Sequence, residues 1–247
     1  MTTSSPPPEL EAHEDLRSGF HHELDDIREA IAKLSAGVTE AIPRATEILL
    51  TQDLEGAEYM ILGDDEVDAK SLELEERCYA VLALQSPVAS DLRRVVSALR
   101  IIAEVERSAD LAVNICKAAR RIYGHRLDPR LRGIVQKMGD QAQKIFKEAT
   151  ECYLTSDAVR AAALDDMDSY LDDLQRQFVQ GIFESHSGDK VELQVAVQLA
   201  VVARFYERIG DHAVNIGERV RYLVTGWVPE HAGAARFATR AAASDLE

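Results

Sequence analysis

An all-α fold built as two tandem, pseudo-symmetric three-helix bundles, six long antiparallel helices in all, is what this 247-residue sequence predicts. Three observations carry that expectation. Aromatic residues make up only 6% of the chain, with few Gly and Pro (13 and 7), a balance that suits helices and starves the strands and turns of a β-sandwich. Apolar residues recur at three- and four-residue steps over long stretches, the period of a helix with one buried face. Finally, Glu106-Arg-Ser-Ala-Asp-Leu-Ala-Val-Asn-Ile115 returns as Glu207-Arg-Ile-Gly-Asp-His-Ala-Val-Asn-Ile216, identical at seven of ten positions with an offset of 101.

Residues 1–12 form a Pro/Ser-rich leader with too little apolar surface to offset its ordering entropy, and the sequence predicts disorder there. Residues 16–50 read as one amphipathic helix, since Phe20, Leu24, Ile27, Ile31, Leu34, Val38, Ile42, Ala45 and Leu49 share a face, with Pro43 as the place for a kink. A second helix spans 53–84, loosened near Gly63 and stopped by Ser86-Pro87, because the residue before proline disfavours the α region. The third starts near Ser90, a candidate N-cap with Asp91 in the first turn, and runs to Tyr123, where Gly124 ends it. Helices over 129–154, 156–185 and 189–224 follow by the same periodicity, and the break at Gly226 and Pro229 opens a mobile C-terminal tail, 226–247. A looser match, Asp65-Glu-Val-Asp68 against Asp165-Asp-Met-Asp168, sits one helix before each copy of the long motif. The repeating unit is therefore three helices, which divides the chain into bundles at 13–124 and 125–225.

Charge and composition exclude several functions. Twenty-eight basic against 43 acidic side chains leave a net charge of −15, which repels nucleic acid, anionic membranes and free phosphate alike and attracts cations and basic partners. Three cysteines, Cys78, Cys116 and Cys152, lie far apart without a C-x-x-C pair and read as buried, reduced thiols. No secretory leader or membrane-length apolar run is legible, so the expected location is the cytoplasm, with membrane contact only through partners. There is no G-x-x-x-x-G-K-[ST] loop, dinucleotide turn, H-E-x-x-H or G-x-S-x-G, and the chain reads as a non-enzyme with no catalytic residues.

What the repeat does carry is oxygen. Glu106, Asp110 and Asn114 are spaced i, i+4, i+8, a stripe about 12 Å long on a helix, and Glu207, Asp211 and Asn215 form a second. An acidic ladder on a helix is ordinarily a solvated face. These stripes, however, continue apolar meridians: Val95, Leu99, Ile102 and Val113 for the first, Ala196, Ala200, Ala203 and Val214 for the second. Half-buried carboxylates need compensation, which Arg107, Arg208 or a bound cation can supply. The six residues are therefore candidate ligands for Mg²⁺ or Mn²⁺, with Ca²⁺, iron or zinc as alternatives, the two rows sharing a cluster or binding one cation each. A ferritin-type di-iron site is disfavoured because Glu-x-x-His is absent from the chain. His212, beside Asp211, reads as a helix-surface residue, and Asp91-Leu-Arg-Arg94 as a helix start or a contact patch for a partner.

Gln85-Ser-Pro-Val-Ala-Ser-Asp-Leu-Arg93, followed by the two E-R-x-x-D-x-A-x-N-I segments, resembles the PhoU family of phosphate-transport regulators over residues 16–224. The resemblance implies two three-helix bundles whose E-x-x-x-D-x-x-x-[DN] signatures hold metal ions, here Glu106, Asp110, Asn114, Glu207, Asp211 and Asn215. Both third positions are Asn, which lowers the negative charge and favours a divalent site over a multinuclear iron cluster. The resemblance also implies a cytosolic, non-enzymatic accessory protein that couples the phosphate-specific ABC transporter to a sensor histidine kinase and represses phosphate-starvation genes when phosphate is plentiful; paired bundles commonly dimerise, and a homodimer is expected. A metal-storage or metal-buffering bundle, or an unrelated helical scaffold, is the competing reading of the same residues.

Overall fold

The chain is described here by a computed structural model covering residues 8–188 and 191–227. Eight helices occupy these residues: α1 (Pro8–Thr51), α2 (Leu54–Leu62), α3 (Asp64–Gln85), α4 (Ala89–Arg121), α5 (Pro129–Thr155), α6 (Ala158–Ala162), α7 (Leu164–Ser187) and α8 (Leu193–Thr225). Among the described residues there is no strand. The six expected helices become eight because the second and the fifth each break near their start. Gly63 (φ −75°, ψ −10°) and Ala163 (φ −83°, ψ −6°) keep right-handed backbone, so each break redirects the axis within a turn of helix. The helix α1 begins at Pro8, inside the stretch expected to be a leader, and continues through Pro43. Residues 1–7 of that leader and 228–247 of the expected tail lie outside the described residues.

Local chemistry places the helix starts. Asp53 accepts from the Gly56 amide at 3.0 Å to cap α2, and Asp157 accepts from the Val159 and Arg160 amides at 3.0 Å to cap α6. Asp128 caps α5 through the Arg130 amide at 2.8 Å, with Pro129 in the first turn, where its missing N–H costs nothing. Beyond α4, Gly124 takes φ +85° and its amide donates to the Gln52 side chain at 3.0 Å, tying the end of α1 to the end of α4.

Four long helices form a ring in the order α1, α4, α8, α5, each packed on its two neighbours. The broken helix α2/α3 covers the outer side of α1 and α4, and α6/α7 covers α5 and α8. The core runs through the ring: Ile31, Ile42, Leu49, Ile101, Ile102, Ile115, Phe146, Phe178 and Tyr206 are fully enclosed. Each such side chain contributes about 1.5–3 kcal/mol. Across the ring, the Tyr206 hydroxyl lies 2.7 Å from Thr46 Oγ1, which itself donates to the Ile42 carbonyl at 2.9 Å, so the phenol supplies the shared proton. A Cβ on Gly139 would lie 2.3 Å from Thr46 Oγ1, so only glycine lets α5 approach α1 this closely. The three cysteines are buried and reduced as expected, and burial pushes the Cys78 and Cys152 thiols up to about 11 and Cys116 to about 12. None of the described helices is long and apolar enough to cross a membrane.

Candidate metal centre

The two acidic rows do not meet; each faces the broken helix of its own repeat. On the first hairpin, Asp64 and Asp68 stand one turn apart on α3, and Glu106 and Asp110 one turn apart on α4. One carboxylate oxygen from each of Asp64, Asp68 and Asp110 lies within 4.8 Å of the others, the one such trio among the described residues. Asp64 Oδ1 is buried without a hydrogen-bond partner. Burial, then the charges of Asp110 and Asp68, push the Asp64 carboxyl above its usual range, with Lys117 opposing. Burial and the same two carboxylates raise Glu106. Asn114 lies half-buried a further turn along α4.

On the second hairpin, Asp168 of α7 takes the place of Asp68, and Glu207 and Asp211 of α8 take those of Glu106 and Asp110. Asp172, one turn beyond Asp168, joins them. Burial first, then Asp172, Asp211 and Glu207, push Asp168 up to about 7, so at neutral pH it is poised between charged and neutral forms. Burial and Asp211 raise Glu207, against an opposing hydrogen bond and charge from Arg204. Burial also raises Asp211, with Arg204 opposing and Asp172 adding to the rise. Asp168 Oδ1 and Glu207 Oε2 are buried without partners.

One residue makes the two clusters unequal. A Cβ on Gly210 would sit 2.1 Å from Asp168 Oδ1 and 2.8 Å from Leu171 Cδ2, so the absent side chain lets Asp168 press against the α8 backbone. The matching position in the first repeat is Ala109, and its partner Asp68 is exposed where Asp168 is half-buried.

The sequence reading placed Asn215 and His212 differently from the structure. Asn215 extends its amide across the α4/α8 seam and donates to Glu104 Oε2 at 3.2 Å. His212 is buried rather than on the helix surface, because the Asp211 side of α8 faces the hairpin and the next residue turns inward against α4. Its Nδ1 lies 2.6 Å from the same Glu104 oxygen. Burial works to raise Glu104, but the hydrogen bonds from His212 and Asn215 outweigh it and hold the carboxyl below its usual range. Of the two arginines expected to compensate the rows, the charge of Arg107 opposes the rise of Glu106 and that of Arg208 the rise of Asp211; Arg204, which was not expected, meets Glu207, and Arg107 also sits 3.6 Å from Glu104. Asp64, Asp68, Asp168 and Asp172 were missing from the predicted ligand sets, although the looser repeat around Asp68 and Asp168 was the signal that could have found two of them.

Fold and site together define a duplicated helical-bundle protein with one acidic hairpin in each repeat. The PhoU domain model matches residues 31–119 and 135–220, one match in each half. The chain belongs to the PhoU family. It is 34% identical over 87% of its length to the phosphate-specific transport system accessory protein PhoU homolog 2 of Mycobacterium tuberculosis, covering 100% of that protein. It is 32% identical to the PhoU homolog of Aquifex aeolicus over 85% of this chain and 94% of the relative. The crystal structure of PhoU from Pseudomonas aeruginosa superposes with a TM-score of 0.79 at 28% identity, over 84% of this chain and 100% of that one. The regulatory protein PhoU of the phosphate transport system from Streptococcus pneumoniae gives 0.78 at 25% identity, over 85% and 98%.

Proposed function

We propose that this chain is a cytoplasmic accessory protein of phosphate-specific transport that couples the phosphate ABC transporter to a sensor histidine kinase, represses the starvation response when phosphate is plentiful, and holds a divalent cation at each acidic hairpin. The accessory role follows from family membership and from relatives that carry that name over nearly their whole length. The cation role rests on one observation: Asp64 Oδ1, Asp168 Oδ1 and Glu207 Oε2 are buried without a hydrogen-bond partner, in clusters where carboxylates outnumber the basic groups that oppose them. An orphaned carboxylate oxygen is stabilised by a proton or by a metal ion, and an all-oxygen donor set suits Mg²⁺ or Mn²⁺ ahead of zinc or iron. The ligands would be Asp64, Asp68, Glu106, Asp110 and Asn114 in the first repeat. In the second they would be Asp168, Asp172, Glu207 and Asp211, with Asn215 buttressing the row through Glu104.

Two measurements test this reading. The thermal midpoint of the whole chain should rise with millimolar Mn²⁺ and return to its starting value in EDTA, because a ligand that binds only the folded state stabilises it by mass action. Coincident midpoints in Mn²⁺ and EDTA, with no metal by elemental analysis, would refute the cation sites. For the regulatory role, a phosphate-starvation reporter should stay active in phosphate-rich medium after deletion of this protein and its paralogues. A fully repressed reporter would refute it, and metal uptake into the protein without transporter capture from membranes would favour a storage bundle.

A further inference from the structure

At the end of the ring away from the α1/α4 clamp, a cavity of about 290 Å³ opens where α1, the start of α4 and the ends of α5 and α8 converge. Three guanidiniums line it, Arg28 of α1 and Arg93 and Arg94 of α4, with Asp25 the one carboxylate among its lining residues. The local balance is thus positive in a chain whose net charge is −15. That inversion is the opposite of what the overall composition supplies by default, and fixed charges of one sign around a concave site concentrate ions of the other.

Arg28 and Arg93 are held in place, but their donors are not used up. Through Nη2, Arg28 reaches the Tyr153 carbonyl at 3.1 Å, the Leu154 carbonyl and the Ser156 hydroxyl at 3.2 Å, and its guanidinium carbon lies 5.9 Å from the centre of the Tyr153 ring. Its Nε and Nη1 make no hydrogen bond among the described residues. Arg93 reaches the Leu223 carbonyl through Nε at 3.5 Å, leaving both terminal nitrogens. Arg94 makes no hydrogen bond or ion pair among the described residues. A guanidinium carries five N–H donors in a fixed fork that matches the oxygens of a phosphate group. Ser90 adds a hydroxyl in the first turn of α4, whose N-cap, Val88, has no side chain that can accept from the turn's amides. The volume suits a small ligand, since pockets for drug-sized molecules begin at about 300 Å³.

We propose that this cavity binds a phosphate dianion, either inorganic phosphate or the head of a phosphate monoester, through the free guanidinium donors of Arg28, Arg93 and Arg94. The site is separate from the acidic hairpins and does not depend on cation binding there. It gives a −15 chain a place to register the anion whose transport its relatives serve.

Isothermal titration of the whole chain in EDTA at low ionic strength tests the proposal, with inorganic phosphate in one arm and phenyl phosphate in the other. EDTA removes any anion held through a metal at the hairpins, so failure here and failure of the cation reading are distinguishable. Saturable binding in either arm is expected, and the tighter arm identifies the free ion or the ester as the ligand. Arg94→Gln, at an exposed and unpaired side chain, should leave the thermal midpoint unchanged and weaken binding about tenfold, the loss of a charged hydrogen bond. Arg94→Lys should recover part of it, and Arg100→Gln, exposed further along the same helix, should bind as the parent does. Absence of binding in both arms, or equal affinity in the parent and Arg94→Gln, would overturn the assignment.

Discussion

Replacing Asp168 by Asn removes a charge that the second hairpin holds at a cost when no cation is bound. Its carboxyl titrates at about 7 in the folded chain against 3.8 for the free side chain, about three units at 1.36 kcal/mol each. Halving the product for solvent screening of a half-exposed group leaves about 2 kcal/mol. The folded state holds the Asp168 proton more tightly than the unfolded state does. Stability therefore falls as the pH rises from about 4 to 7, and the penalty is complete above 7. In EDTA at pH 8, Asp168→Asn should melt about 4–8 °C above the parent, at 2–4 °C per kcal/mol for a chain of this size. The gap should close by pH 4, where the parent carboxyl is protonated. In Mn²⁺ the order should reverse or level, because the variant lacks the charge that holds the cation. Calorimetric melts of both proteins at pH 4 and 8, with EDTA and with Mn²⁺, give the four comparisons. A variant no more stable than the parent in EDTA at pH 8, or a gap unchanged at pH 4, refutes the claim that Asp168 is a strained, cation-seeking carboxylate.

Three other substitutions probe the same region. Gly210→Ala should destabilise the chain by about 1–3 kcal/mol in urea titration and shrink the Mn²⁺ response, because its Cβ displaces both Asp168 and Leu171. His212→Ala removes one of the two side-chain hydrogen bonds that the half-buried Glu104 carboxylate accepts and should cost about 1.5–3 kcal/mol at pH 7. Glu104's own contribution is full above its unfolded titration range and is lost as the pH falls through the lowered folded value, so parent and variant should converge in acid urea melts. Asn215→Asp exchanges a donor for a like charge 3.2 Å from Glu104 and should be less stable in EDTA and in Mn²⁺ alike; a variant that gains more from Mn²⁺ than the parent would make position 215 a direct ligand.

The long helices were legible because each keeps one apolar face for several turns, and Ile31, Ile42, Leu49, Ile102 and Val95 stand in the core where their spacing put them. The break at Gly63 had a glycine to announce it, whereas the one at Ala163 had nothing, since its cause is the packing of α6 and α7 over Gly217, whose Cβ would meet Leu164 at 2.5 Å. The rows on α4 and α8 were visible as a repeat within one helix. Their partners Asp64, Asp68, Asp168 and Asp172 come from another helix, and which side of it faces the row is decided by the bundle. His212 was misplaced for the same reason: a wheel drawn on α8 alone does not contain Glu104.

The ring of helices has a bearing on how such a chain arises. Across the boundary between repeats α1 meets α5 and α4 meets α8, so each helix of the ring touches its own counterpart. That is the self-complementary contact of a closed two-fold dimer, here tied into one polypeptide. Cutting it in the stretch 122–128, the natural seam of the sequence, would part Thr46 from Tyr206 and lay open the faces that enclose them. Two separate subunits of one gene are bound to be identical; two halves of one chain are not. Ala109 against Gly210, Asp64 against Leu164 and Leu72 against Asp172 are differences only a fused pair can keep, and with them Asp68 stands exposed on one hairpin while Asp168 is half-buried on the other.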